Sequence, residues 1–89
     1  DVGWNDIGSW SSLWDVSKKD SHGNAIFGDA ILHESSSSYI RTDGKLVAAI
    51  GVDDLVIVST RNTVIVAHKE KTQDLKVVVE KLKNISTID

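Results

Sequence analysis

The chain is 89 residues long, with 40% hydrophobic and 26% charged residues and a net charge of −3. A chain of this size makes one small domain and buries only about 60–65% of its unfolded surface, so its own core is modest. The charge leaves no basic footprint for nucleic acid. The lack of cysteine excludes disulfides and thiolate metal sites, and no apolar run approaches the ~18 residues of a membrane span.

The chain opens on glycine-punctuated, aromatic residues 1–8, predicted to form a loop or a short strand ending in a turn. Ser9 then suits an N-cap, because its hydroxyl accepts a free amide of the first turn. Trp10, Leu13 and Trp14 follow at i, i+3, i+4, predicting a short helix over about 10–18 with one apolar face. Asp20-Ser21-His22-Gly23-Asn24 is a turn cluster and an expected module boundary. This divides the chain into residues 1–20 and residues 21–89.

From 24 to 67 the texture becomes β-rich. Short apolar runs (Ala25 to Phe27, Ala30 to Leu32, Ser38 to Arg41, Leu46 to Ile50, Leu55 to Val58, Val64 to Ala67) alternate with turn formers such as Gly28-Asp29 and Asp43-Gly44. Ile40, Leu46, Val52, Val58 and Val64 recur every six residues, and Ile26 and Leu32 share that spacing in another phase. Such a repeat is the signature of a left-handed parallel β-helix. On the residues alone, an irregular small sandwich or roll fits equally well. Ser35 to Ser38 reads as an exposed loop. The last segment is predicted helical, capped by Thr72, with Leu75, Val78, Val79 and Leu82 as its apolar stripe. Asp74 near its start and Lys81 and Lys83 near its end suit the helix dipole. The predicted fold is therefore mainly β, a left-handed parallel β-helix-like module with a short N-terminal helix and a C-terminal amphipathic helix.

Few residues promise chemistry. Asp6 stands between Trp4 and Trp10 beside a glycine turn. A carboxylate there suits a hard cation such as magnesium, which takes one or two carboxylates plus phosphate oxygens. A carboxylate that caps or bridges the loop fits the same pattern. His22 is expected to be exposed in its turn, and His22, His33 and His68 lack metal-ligand spacing. The six glycines never cluster into a phosphate loop. Trp4, Trp10 and Trp14 could stack on a sugar, although helical spacing favours packing for the last two. On these grounds the chain is a β module with a tryptophan-rich arm.

The octapeptide Gly3-Trp4-Asn5-Asp6-Ile7-Gly8-Ser9-Trp10, with Leu13-Trp14, resembles the G-W-[SN]-D-[IV]-G-[ST]-W…L-W segment of bacterial mannose-1-phosphate guanylyltransferases. The likeness continues through Asp20 to Asn24, Gly28-Asp29, Leu46 to Ala48, Gly51, Asp53 to Val56, Thr60 and Gln73-Asp74. It implies a parent enzyme that joins mannose 1-phosphate to GTP, releasing pyrophosphate and GDP-mannose. In such a parent an N-terminal nucleotidyltransferase domain comes first and residues 1–20 close it. Asp6 would be one carboxylate ligand of catalytic Mg2+, with Asp1, Gly3 and Trp4 near the sugar-phosphate end of the cleft. A left-handed β-helix-like domain follows in the family, and some members add a mannose-6-phosphate isomerase domain. The phosphate loop, the base-binding residues and the second metal-binding Asp are absent here, so the piece alone is expected to be inactive. The chain lacks Met altogether and shows no signal-peptide features, so it reads as an excised C-terminal piece of a cytoplasmic protein. Its expected partners are the N-terminal domain and a second copy in a homo-oligomer, with neither nucleic acid nor membrane. A stand-alone β-rich interaction or carbohydrate-binding module is the alternative.

Overall fold

The computed structural model describes residues 10–85, with side chains from residue 12 onward. Helix α1 (Trp10–Val16) is followed by β1 (Ala25–Phe27), β2 (Ala30–His33), β3 (Tyr39–Thr42), β4 (Val47–Ile50), β5 (Leu55–Ser59) and β6 (Val64–His68). A 3-10 helix (Lys69–Asp74) then leads into α2 (Leu75–Ile85).

The strands stack as a parallel β-helix. One side is a four-stranded sheet in the order β1-β3-β5-β6, and a second side is the pair β2-β4. A third side is marked by the parallel bridge Ser36↔Asp53. β1, β3 and β5 are mutually parallel, as are β2 and β4. One full coil advances the chain by 17 residues: Ala30 stacks on Val47, Ser36 on Asp53 and Tyr39 on Val56. The first step is shorter, with Ala25 on Tyr39, because the corner after β1 is the tight pair Gly28-Asp29 and the next corner is longer. β6 departs from the coil: it turns back antiparallel onto β5, pairing Ile57 with Val66 and Val58 with Ile65.

This geometry corrects the basis of the expected repeat, although the β-helix itself is present. Of the six-spaced residues, Ile40 and Val52 belong to the cluster inside the coil, whereas Val58 packs in the cluster that includes α2. Leu46 and Val64 are exposed, at 63% and 58%. The inward positions instead follow the coil's own step, as in Leu32 on Ala49 and Ile40 on Ile57.

The four-stranded sheet separates two clusters. On one face Ala25, Tyr39, Val56, Val58 and Ile65 meet Leu75 and Val79 of α2, with Leu13 and Trp14 of α1 packed alongside. On the other, Ile40, Ala49 and Ile57 fill the coil with Leu32, Val47 and Val52 around them. Burying an aliphatic side chain of this kind contributes about 1.5–3 kcal/mol. The helical stripe is therefore confirmed at Leu75, Val79 and Leu82, while Val78 is exposed at 43%. Thr72 does not cap α2. It lies buried inside the 3-10 helix, its hydroxyl donating to the Lys69 carbonyl at 3.2 Å. His68 caps that helix instead, its Nδ1 accepting the Glu70 amide.

The serine run is a second correction. Ser35 and Ser38 are buried, at 6% and 0% exposure. The Ser35 hydroxyl accepts the Val52 amide at 3.2 Å, and the Ser38 hydroxyl accepts the Leu55 amide at 3.1 Å. Ser38 Oγ also donates to the Ser36 carbonyl, and Ser36 Oγ hydrogen-bonds Asp53. The third side has too little strand to satisfy its own backbone, so hydroxyls take over part of the ladder. The corners repeat with the coil as well. Glu34 and Gly51 have φ of 50° and 65°, and Ser37 and Asp54 have φ of 54° and 59°. A left-handed residue at each equivalent corner turns the chain onto the next side.

Candidate functional site

The residues singled out for metal and substrate, Asp1, Gly3, Trp4 and Asp6, lie outside the described residues, as does the Ser9 cap. What the structure shows is how the helix just after them is fastened to the β-helix. α1 carries Leu13 and Trp14 against the outer cluster of the four-stranded sheet. The Trp14 indole N–H donates to the Gly23 carbonyl at 2.8 Å, tying the helix to the turn that begins the coil. Lys69, at the far end of β6, places its ammonium 3.3 Å from the Trp14 ring centroid. Lys19 approaches the same ring at 4.5 Å. The Lys69 side chain is only 14% exposed and pairs with Asp54 at 3.7 Å. A cation held over an indole face and shielded from water contributes about 1–2 kcal/mol. Trp14 is thus an anchor between the first and last turns of the module, with its ring and its N–H both engaged by protein.

The turn that receives this anchor is built on one carboxylate. Asp20 Oδ1 accepts the amides of His22 and Asn24, both at 2.9 Å, and Asn24 is 98% buried. Asn24 in turn donates from Nδ2 to the Ser35 carbonyl and accepts the Ser38 amide at Oδ1, each at 3.0 Å. The expected turn cluster is therefore the cap of the first coil, closing its exposed end with hydrogen bonds. The Asn24 amide holds the Asp20 carboxyl below its ordinary value of 3.8, with the His22 amide and the Asn24 side chain adding to the effect against some desolvation. The folded value lies below the unfolded one, so this stability is complete above about pH 4 and is lost as pH falls through the folded value. Asp20→Asn should remove that acid dependence. Urea midpoints measured between pH 2 and pH 7 should fall less steeply below pH 4 in the variant than in the wild type.

Two recesses accompany these features. A wide groove of about 600 Å³ runs between Trp14 and Asp15 and the 3-10 helix. A smaller one of about 180 Å³ lies at the capped end beside Asp20, His22 and Glu34. Neither collects a metal-ligand set: among the described residues no group of three or more His, Cys, Asp or Glu is placed to hold a metal ion. His22 is exposed, as expected, and lies within 3.4 Å of the Ser21 hydroxyl. His33 is exposed beside Glu34 at 3.5 Å. No helix among the described residues is long and apolar enough to cross a membrane.

Sequence reasoning missed Asn24, Ser35, Ser38 and Lys69. The serines had a signal, since Ser35 and Ser38 each precede their partners Val52 and Leu55 by 17 residues. Lys69 had none, because its aromatic partner lies 55 positions away in the chain.

The architecture defines a small parallel β-helix module, closed at one end by a hydrogen-bonded turn and clasped by two helices. The MannoseP isomerase/GMP-like beta-helix domain matches residues 28–82, and the chain belongs to that family. Its relatives include a mannose-1-phosphate guanylyltransferase of Escherichia coli, 57% identical over 83 residues, which are 93% of this chain and 18% of that protein. Another is the alginate biosynthesis protein AlgA of Pseudomonas aeruginosa, 49% identical over 81 residues, 91% of this chain and 17% of that one. The crystal structure of a mannose-1-phosphate geranyltransferase from Thermus thermophilus superposes with a TM-score of 0.77 at 28% identity, over 88% of this chain and 24% of that one. The chain spans less than a fifth of the length of these curated relatives.

Proposed function

We propose that the chain is the C-terminal part of a mannose-1-phosphate guanylyltransferase, the enzyme that converts GTP and mannose 1-phosphate to GDP-mannose and pyrophosphate in the cytoplasm. The observation that carries this reading is the 57% identity to the Escherichia coli enzyme, sustained over 93% of this chain. Residues 1–20 would complete the nucleotidyltransferase domain, and residues 21–89 would form the structural module on which that domain rests. Asp6 would hold Mg2+ together with a carboxylate from the preceding domain; among the described residues no group of three or more His, Cys, Asp or Glu is placed to hold a metal ion. Bound there, the metal would neutralise phosphate charge during transfer. Asp1, Gly3 and Trp4 would border the sugar phosphate. The described part of the chain would keep α1, four residues beyond Asp6, in a fixed place through Trp14, Gly23 and Lys69.

The test is Asp6→Ala in the full-length enzyme. GDP-mannose synthesis should fall by at least about a thousandfold, the scale set by losing a metal that carries charge stabilisation. The thermal midpoint should stay within a few degrees of the wild type. Near-normal turnover would remove Asp6 from the metal site.

A further inference from the structure

The coil stops unevenly, and the unevenness has a definite shape. β4 follows β2 by 17 residues, so a third strand of that side would fall on residues 64–67. Those residues are instead β6, diverted antiparallel onto β5 in the other sheet. The four-stranded sheet thus runs on past the two-stranded one and leaves a step. Its floor is the free edge of β4, which no strand among the described residues covers. Its wall is β6, where Val66 is register partner to the inward-facing Ile57 yet is 59% exposed. Val64 beside it is 58% exposed. Its register partner Ser59 has a buried hydroxyl without a partner among the described residues.

The β4 edge carries none of the usual protection against strand addition. Leu46 to Ile50 has no charge, proline or bulge. The Val47 amide donates to the Asp29 carbonyl and the Gly51 amide to the His33 carbonyl. Strand alternation therefore turns the Ala48 and Ile50 amides outward, toward the empty position. Leu46 and Ile50 beside this edge are 63% and 70% exposed.

We infer that the step is a strand-acceptor site, filled by an extended segment from the rest of the same, longer polypeptide. That segment would lie beside β4 as the third strand of its side and set alternate apolar side chains against Val66 and Val64. The source is argued from length: about four fifths of a protein the size of the relatives lies outside this chain. A tethered segment reaches the step at a high effective concentration that a free partner lacks. A second copy paired across the same edge about a two-fold axis would carry its own projecting β5 and β6 into the first copy's third side.

The inference rests on the module being part of a full-length guanylyltransferase, and its test is independent of turnover. In that enzyme, residue-resolved hydrogen exchange should show the Ala48 and Ile50 amides at least about a hundredfold slower than open-edge amides. The protection should be the same at two protein concentrations tenfold apart. Exchange at the rate of exposed amides would overturn the inference, and so would protection found only at the higher concentration, which would assign the edge to a second copy. Ala48→Pro adds a second reading, because β2 does not use that amide and proline is tolerated where an edge N–H faces outward. Ile50 should then lose its protection while Gly51 keeps it; a protected Ile50 would count against the inference. The wild-type measurement decides the matter even if Ala48→Pro fails to fold. Loss of the metal role of Asp6 would leave the exchange result unaffected, so the two readings fail separately.

Discussion

Gly28→Ala should destabilise the module by more than about 3 kcal/mol, a large part of the 5–15 kcal/mol typical of a domain. Gly28 sits at the two-residue corner between β1 and β2 with φ of 104°. A Cβ built there meets the Thr42 carbonyl oxygen at 2.4 Å and the Thr42 methyl at 2.7 Å. Two penalties combine: a backbone region that L-residues rarely adopt, costing about 1–3 kcal/mol, and a collision with backbone of the next coil. Thr42 has little freedom to yield, because it pairs with Ser59 in the sheet and its hydroxyl donates to the Lys45 carbonyl at 2.8 Å. Gly51 separates the two effects. Its φ is 65°, and nothing lies within 4 Å of a Cβ placed there. Gly51→Ala should cost only about 1–2 kcal/mol, the conformational part alone. Urea denaturation of both variants in the same background reads the difference; equal midpoints would show that the close approach of Gly28 to Thr42 carries no weight.

Asn24→Ala should cost about 3 kcal/mol by a different route. Its side chain makes two hydrogen bonds across the coil, to the Ser35 carbonyl and the Ser38 amide. The small residue leaves both backbone groups facing a buried site. A buried unsatisfied group costs about 1–3 kcal/mol, well above the net value of the bond itself. Asn24→Asp tests the same geometry by charge. It keeps the acceptor for Ser38 but sets a carboxylate against the Ser35 carbonyl and the nearby Asp20. At pH 7 it should be at least as damaging as alanine, and part of the loss should be recovered in acid, where the new carboxyl takes a proton. Equilibrium denaturation at pH 7 and pH 4 compares the two. Wild-type stability in Asn24→Ala would mean that water replaces the amide without penalty.

Both variants act on what links one coil to the next, and that is also where sequence reasoning was weakest. The elements themselves were legible. The stripe Leu75, Val79 and Leu82 packs as expected, and the apolar runs between turn formers became the six strands with shifts of a residue or so. The helix that begins on the last residue of the octapeptide runs from Trp10 to Val16 with Leu13 and Trp14 on the packed side. These features are local, and local patterns of burial and turn chemistry are written in neighbouring residues.

The six-residue repeat succeeded as a sign of the fold and failed as a map of it. Valine and isoleucine are common on both faces of the four-stranded sheet, because one face is covered by helices and the other by the coil. A sheet buried on both sides blurs the alternation that would separate inside from outside. Val58 could therefore join the repeat while facing α2. The serine run was misread for a related reason. A hydroxyl looks polar in isolation, but Ser35 and Ser38 are buried because backbone amides of the next coil need acceptors.

The sequence by itself determined the class of structure and the kinship: short strands, a terminal amphipathic helix, and an octapeptide of unusual composition around Asp6. Only the tertiary structure decided which residues join one coil to another. Gly28 against Thr42, Asn24 between Ser35 and Ser38, and Lys69 over Trp14 are pairings between distant positions. Whether β6 would continue the coil or fold back on β5 was settled the same way, since both paths suit the same run of apolar residues. Pairwise packing across a coil depends on the whole chain's path, and no local propensity encodes it.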